Sequence, residues 1–246
     1  MARILLLETS TARLSVALAE DGRAVAVRRC DESRQQAALT APFVKEILDE
    51  RGLSVADCDA VCIGKGPGSY TGLRVGVSTA KGLAFGAGLP LIAVGSLDVL
   101  AAPVILNTPV ILNTPVILST HVILSEAKDL SFIVPMIDAR RMEVYTAVFS
   151  PEGKALTPVE AKIVDSESFA AYLEQGPVLF IGDGALKCRA VITHPNARFL
   201  EAWPDAADMA ALAEQAFQEK RFEDLAYFEP FYLKDFVATV SRKNLF

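Results

Sequence analysis

The residues of this chain that could do chemistry fall in three turns. Glu8-Thr9-Ser10 follows the apolar run Ile4-Leu5-Leu6-Leu7. A carboxylate in such a turn can hold magnesium, and nearby Gly or Ser N–H groups can hold phosphate. This turn has the acid and hydroxyls but no glycine, so a turn satisfied by its own hydrogen bonds remains an equal reading. The second turn reads Gly64-Lys65-Gly66-Pro67-Gly68-Ser69-Tyr70-Thr71-Gly72-Leu73-Arg74-Val75-Gly76. A helix starting there presents free N–H groups to a phosphate. It is not a P-loop, since GxxxxGK[ST] is absent and Lys65 precedes the helix. A tight strand-to-helix connection without a ligand is the alternative. The third turn, Asp138-Ala139-Arg140-Arg141-Met142-Glu143-Val144-Tyr145, sets an acid beside two arginines. Catalysis there would need a nucleophile or base alongside; an ion-paired hairpin is expected.

Other catalytic sets are missing. The two histidines, His121 and His194, are too far apart in sequence for a helical HxxxH or HExxH metal pair. Of the four cysteines only Cys58 and Cys62 are close, and no second pair follows to complete a zinc tetrad. Reduced thiols in a cytoplasmic protein are expected. No Ser-His-Asp or Cys-His set can be argued, which leaves a peptidase reading without support. The net charge of −6 argues against a stand-alone nucleic-acid binder. The tail sets Phe228, Phe231, Tyr232, Phe236 and Phe246 among Lys234, Arg242 and Lys243. That interleaving can bind single-stranded RNA, but an arm packed on its own protein or on a partner fits the acidic balance better.

The elements that position these turns follow from periodicity. Residues 3–7 read as a buried strand, 14–18 alternate, Glu20-Asp21-Gly22-Arg23 signals a hairpin, and 24–29 return. Together they predict a three-stranded antiparallel meander. Ser33 to Arg51 predicts a helix with Ala37, Ala41, Val44, Ile47 and Leu48 on one stripe, Leu39 and Phe43 beside it, and Gly52 as its stop. A strand over 59–64 leads into the Gly-rich turn, whose helix, capped by Ser69 or Thr71, runs to about Gly86. Its interior Gly72, Gly76 and Gly82 each cost about 1 kcal/mol relative to Ala, so another backbone is expected to approach closely. A strand over 90–94 and a short helix capped by Ser96 follow. Strands over 132–137, 142–149 and 178–181 and helices over 166–175 and 208–221 complete the reading.

Residues 103–126 read PVILNT, PVILNT, PVILST, HVILSE. The wider stretch 99–125 carries no charge and is long enough to cross a bilayer, but Pro103, Pro109 and Pro115 would interrupt a helix every six residues. Four hexads are too few for a β-solenoid. An extended or poorly ordered surface insertion is expected, and no chemistry is assigned to it.

Strand meander, helix, strand, helix, strand and a partial second copy predict an α/β protein. The expected fold is two-lobed and ribonuclease-H-like, of the actin/Hsp70 type, with a reduced second lobe. The expected division is 1–102 for the first lobe, 103–130 for the insertion and 131–246 for the second lobe. Helix 208–221 has the option of packing back on the first lobe.

At Ile4 to Thr11, Gly64 to Gly76, Ile137 to Tyr145 and Glu229-Pro230-Phe231-Tyr232-Leu233, the sequence closely resembles the TsaB (YeaZ) family of bacterial tRNA threonylcarbamoyladenosine (t6A) biosynthesis proteins. The resemblance covers the chain except about residues 103–130. It implies a cytoplasmic, non-catalytic scaffold, with no membrane association, that works with TsaD and TsaE in threonylcarbamoyl transfer to tRNA. TsaD carries a paired-histidine metal site on its first helix. Here that helix reads Gln35-Gln36-Ala37-Ala38-Leu39-Thr40, and Gln36 stands where many relatives have a histidine. The resemblance therefore implies no catalytic residue, metal or cofactor of this chain's own, with ATP and a metal in the partner subunits. Glu8, Thr9, Ser10, Gly66, Gly68 and Ser69 would be vestigial nucleotide loops. A heterodimer with TsaD is expected through the first two helices, with Leu39, Phe43, Leu73, Arg74, Gly76 and Val77 as contact candidates. The same surface would form a homodimer when the chain is alone, and tRNA would be reached through the complex. The alternative is an ATP-dependent kinase or transferase of the same superfold acting alone, motivated by Glu8 and the Gly-rich turn.

Overall fold

The structure, a computed structural model, describes residues 2–106 and 129–234. The hexads from Asn107 onward, with His121, and the tail residues Phe236, Arg242, Lys243 and Phe246 lie outside the described residues.

Strands β1 (Arg3–Glu8), β2 (Leu14–Glu20) and β3 (Arg23–Cys30) form the predicted antiparallel meander. Asp21 and Gly22 turn the β2–β3 hairpin at φ 49° and 73°, the left-handed pair that a two-residue hairpin needs. Strands β4 (Ala60–Gly64) and β5 (Leu91–Val94) add in parallel, giving the order β3-β2-β1-β4-β5. β1 and β4 are covered on both faces, which is why they read as unbroken apolar runs. Leu5, Leu7, Val61 and Ile63 point to one core; Ile4, Leu6, Ala60 and Cys62 point to the other.

Helices α1 (Gln36–Glu50) and α2 (Tyr70–Ala87) cover the first face and pack against each other. The buried stripe of α1 is Gln36, Thr40, Val44, Ile47 and Leu48. Ala37 and Ala41, expected inside, are exposed, because two hydrogen-bonded polar residues, Gln36 and Thr40, hold the inner positions instead. Helix α3 (Ser96–Ile105) starts one residue after its N-cap, Gly95, so Ser96 lies inside it rather than capping it. It takes in Pro103, Val104 and Ile105, the first three residues of the first hexad. Val104 is buried with Leu97, Leu100 and Ala101 against the second lobe, and that burial offsets the proline's cost to the helix.

The second lobe repeats the first. Strands β6 (Phe132–Asp138), β7 (Glu143–Thr146), β8 (Glu160–Ile163), β9 (Val178–Ile181) and β10 (Ala197–Leu200) take the order β10-β9-β6-β7-β8. Read from β8, this is again a meander followed by two parallel strands. The sheet is complete, and the reduction lies in its helices. α4 (Ala170–Leu173) and α5 (Ala185–Cys188) have four residues each, against 15 and 18 in α1 and α2. The helix expected over 166–175 shrinks because Phe169 is left-handed at φ 66° and Asp165 ties the Ser168 backbone into a turn.

After Pro204 the chain returns to the first lobe. A 3₁₀ turn (Ala206–Met209) runs into α6 (Ala210–Gln218). Ala206, Met209, Ala210, Ala213 and Ala216 pack on Ile4, Leu6, Ala17 and Ile92, covering the second face of the first sheet. Arg29 of β3 grips Asp205 through two hydrogen bonds of 2.5 and 3.0 Å. Among the described residues no helix is long and apolar enough to cross a membrane.

Candidate functional site

The two candidate nucleotide loops meet at the ends of β1 and β4, and they meet on each other. Glu8, Thr9 and Ser10 have no exposed surface. Glu8 Oε1 accepts the Ser10 N–H at 2.6 Å, while Oε2 is buried without a partner. Burial pushes the Glu8 carboxyl above its ordinary range, and its hydrogen bonds to Ser10 and Thr9 only partly offset this. Ser10 O accepts the Ser69 N–H at 2.6 Å, and a β-carbon on Gly68 would overlap Ser10 O. Ser69 caps α2, accepting the Gly72 N–H at 3.4 Å, and Thr71 is exposed and takes no part. Gly66, at φ 101°, lies under Leu73, and its peptide bond to Pro67 is cis. The Ser10 and Ser69 N–H groups that a phosphate would need are already donated within the protein, and the acid a magnesium ion would need is sealed behind Gly64. This donor set does not fit a magnesium nucleotide.

The glycines of α2 divide into two classes. A β-carbon on Gly72 would overlap Thr9 O, and one on Gly76 would overlap Thr9 Oγ1 and press on Ile63. The Thr9 hydroxyl donates to Gly72 O at 2.9 Å. The close backbone approach expected of these glycines is therefore internal. Leu73 is 1% exposed and Val77 4%, both inside the chain's own core, and Gly76 is buried. These three contact candidates have little exposed surface of their own in the folded chain. Of the remaining three, Arg74 is exposed, and Leu39 and Phe43 are half-buried at the rim of the same core. A β-carbon on Gly82 or Gly86 would meet nothing within 4 Å, and Phe85 beside them is 81% exposed. Gly82 was visible in the sequence as an interior glycine; Phe85 and Gly86 carried no separate signal there.

The tail motif packs over the Gly-rich turn and is linked by Lys234 to the hairpin motif. The backbone N–H of Phe231 donates to Lys65 O at 2.8 Å, laying the tail along the Gly-rich turn. The Lys81 ammonium holds the tail carbonyls of Ala226 and Phe228 at 3.3 and 3.1 Å. Tyr232 packs against Tyr70 with ring centroids 4.8 Å apart and planes tilted by 37°, and the Arg74 guanidinium lies over the Tyr70 ring at 5.5 Å. Lys234 then pairs with Glu143 across the gap to the second lobe. In that hairpin the cation beside Asp138 is Lys187 rather than either adjacent arginine. Arg140 and Arg141 form its tip at φ 71° and 53°, with Arg140 N donating to Asp138 Oδ1 at 2.8 Å. Asp183 accepts the Asp138 N–H at 3.0 Å, and burial pushes its carboxyl up to about 6. The described part of the tail thus packs on its own protein.

Gln36 acts as a tether. It is nearly buried, and its Nε2 donates to Thr11 O at 2.9 Å and Ala12 O at 3.3 Å. The start of α1 is thereby tied to the turn that carries Glu8, Thr9 and Ser10.

The chain is similar to known proteins in sequence and in overall fold. The family of TsaD, tRNA N6-adenosine threonylcarbamoyltransferase, matches residues 31–121. The tRNA N6-adenosine threonylcarbamoyltransferase of Maricaulis maris (strain MCS10) is 46% identical over 66 residues, 27% of this chain and 18% of its own length. YeaZ from Pseudomonas aeruginosa superposes with a TM-score of 0.75 at 27% identity, over 95% of this chain and all of its own. The tRNA threonylcarbamoyladenosine biosynthesis protein TsaB of Escherichia coli (strain K12) is 30% identical over 96% of both chains. A match of that order over 96% of both chains, on a two-lobed α/β frame, means that the chain belongs to the TsaB (YeaZ) family of tRNA threonylcarbamoyladenosine biosynthesis proteins.

Proposed function

We propose that this chain serves threonylcarbamoyladenosine formation on tRNA as a non-catalytic scaffold in the cytoplasm, pairing with TsaD and acting together with TsaE, with no nucleotide or metal of its own. One observation carries the scaffold reading. Gly82 and Gly86 stand on the open face of α2 beside an exposed phenylalanine, and nothing in the chain's own packing requires them. Two helix-interior glycines cost about 1 kcal/mol each, and a second protein that packs closely there accounts for the cost. The local match to threonylcarbamoyltransferases supports the choice of partner, because like helices can pack against like. Without TsaD the same face pairs with a second copy. The closed Glu8 turn supports leaving ATP and metal to the partners, and tRNA contact to the complex.

The test is gel filtration of TsaD with the Gly82→Phe variant. Position 82 has open space, so the variant folds. Loss of co-elution supports the face, and unchanged co-elution removes it.

A further inference from the structure

The β6–β7 hairpin ends in two arginines whose backbone is held against its preference. Arg140 and Arg141 lie at φ 71° and 53°, in the left-handed region. There the β-carbon crowds the following carbonyl at a cost of roughly 1–2 kcal/mol per residue, and glycine or asparagine is the better fit. The turn is closed by the Ala139 N–H donating to Glu143 O at 3.1 Å and the Glu143 N–H donating to Arg140 O at 3.2 Å. Neither bond needs an arginine side chain, so the backbone gives no reason for arginine at either position.

The chain's own side chains give no reason either. Both arginines are exposed, and among the described residues neither guanidinium has a hydrogen bond, ion pair or ring contact. The acids of the same hairpin are engaged elsewhere. Asp138 pairs with Lys187 of α5, and Glu143 pairs with Lys234 of the tail. Lys187 also donates to Glu143 O at 2.7 Å, and the nearby Asp183 accepts the Asp138 N–H at 3.0 Å. Arg28-Arg29, the chain's other Arg-Arg pair, behaves differently: Arg28 reaches Glu46 and Glu50, and Arg29 reaches Asp205. Carboxylates are plentiful in a chain of net charge −6. At this tip lysines take them, which leaves both guanidiniums for an acceptor outside the chain.

The surroundings of the tip decide between acceptors. A guanidinium binds carboxylate or phosphate through paired N–H groups. A protein partner anchored on two arginines would need surrounding surface to exclude water from them. The flanking Ala139 and Met142 are half-buried, and among the described residues none of the large exposed apolar side chains belongs to this hairpin. An RNA backbone needs no such surround, because contacts from exposed arginines to phosphate are electrostatic and tolerate water. We propose that the Arg140-Arg141 tip contacts backbone phosphates of the tRNA undergoing modification. The inference rests on the scaffold reading for bringing tRNA to the tip, and it uses residues that the α2 face does not.

The test measures binding of unmodified tRNA over a salt series, to the complex of the chain with TsaD and TsaE and to the chain alone at low salt. The variant is Arg140→Asn/Arg141→Gly, which suits left-handed backbone, so its melting temperature should hold or rise. Its tRNA affinity should fall about tenfold or more. The slope of log affinity against log salt should lessen by about 2, one for each lost phosphate contact. Co-elution with TsaD should be unchanged. Equal affinity and slope in the variant, or no tRNA binding by the unaltered chain in either form, overturns the proposal. Loss of co-elution with TsaD also overturns it, since the tip then meets an acidic protein surface. If the unaltered chain forms no complex, the scaffold reading fails and the titration of the chain alone decides this proposal. Should the variant misfold, Arg140→Gln/Arg141→Gln gives the same two readouts.

Discussion

Thr9 is bolted to Gly72 by its side chain and by its backbone. Its hydroxyl donates to Gly72 O at 2.9 Å, and its own carbonyl occupies the space a β-carbon on Gly72 would take. The turn after β1 is thus seated in a notch on α2. That seating sets α2 against the sheet, with its Gly82–Gly86 side turned outward.

Glycine substitutions along α2 should consequently divide by position. Gly72→Ala and Gly76→Ala should each destabilise the chain by about 1–3 kcal/mol, the usual cost of overpacking a filled site. Gly82→Ala, in open space, should stabilise the isolated chain by about 0.5–1 kcal/mol. Urea denaturation of the three variants measures this, and a common sign for all three contradicts the two classes.

The last helix depends on Arg29 and Asp205. Both are largely buried, at 16% and 7% side-chain exposure, so removing one leaves the other uncompensated. Arg29→Ala should cost about 3–5 kcal/mol. Arg29→Met with Asp205→Leu should recover much of that loss. The denaturation midpoints of the two variants check it.

Asp208 gives stability a pH dependence. Burial, with Asp205 nearby, pushes its carboxyl up to about 7, and Arg29 only partly compensates. A carboxyl raised in the folded state binds more protons there than in the unfolded chain, so stability falls as pH rises from about 4 through about 7. Asp208→Asn removes the charge and should raise the melting temperature at pH 8 relative to the unaltered chain, with little difference at pH 5. An equal difference at both pH values contradicts the assignment.

Glu8 separates the scaffold from a kinase or transferase acting alone. Burial costs the charged Glu8 carboxylate more than its hydrogen bonds return, and its Oε2 has no partner to lose on neutralisation. Glu8→Gln should leave the chain folded, as stable or more stable at pH 8, and should not change its response to magnesium and ATP in calorimetry. Magnesium-dependent ATP binding that disappears in Glu8→Gln supports the stand-alone enzyme instead.

Much of this arrangement was legible in the residues. The Ile4–Leu7 run, the Asp21-Gly22 hairpin and the Gly-rich turn each obey local rules, so β1, β2, β3 and α2 could be placed closely. β8 and β10 were not. Glu-Ala-Lys-Ile and Ala-Arg-Phe-Leu lie on sheet edges, where burial is incomplete and alternation is weak. The meeting of Thr9 with Gly72 and Gly76 was half legible. The glycines announced a close approach, but a helix pattern does not say whether the approaching backbone is the chain's own or a partner's. For the same reason the pattern does not say that Leu73, Gly76 and Val77, read as contact candidates, are buried in the chain's own packing. The convergence of the tail on Lys65 and Glu143 was beyond local rules, because it joins residues 166 and 91 positions apart.

The most direct measurement is nucleoside analysis of tRNA from cells that lack their own copy of this chain but express TsaD and TsaE of the same organism. Restoring the chain, or its Glu8→Gln variant, should return threonylcarbamoyladenosine to the tRNA, while Gly82→Phe should not. Full modification with the Gly82→Phe variant, or none with the folded, unaltered chain, would contradict a scaffold that works through the open face of α2.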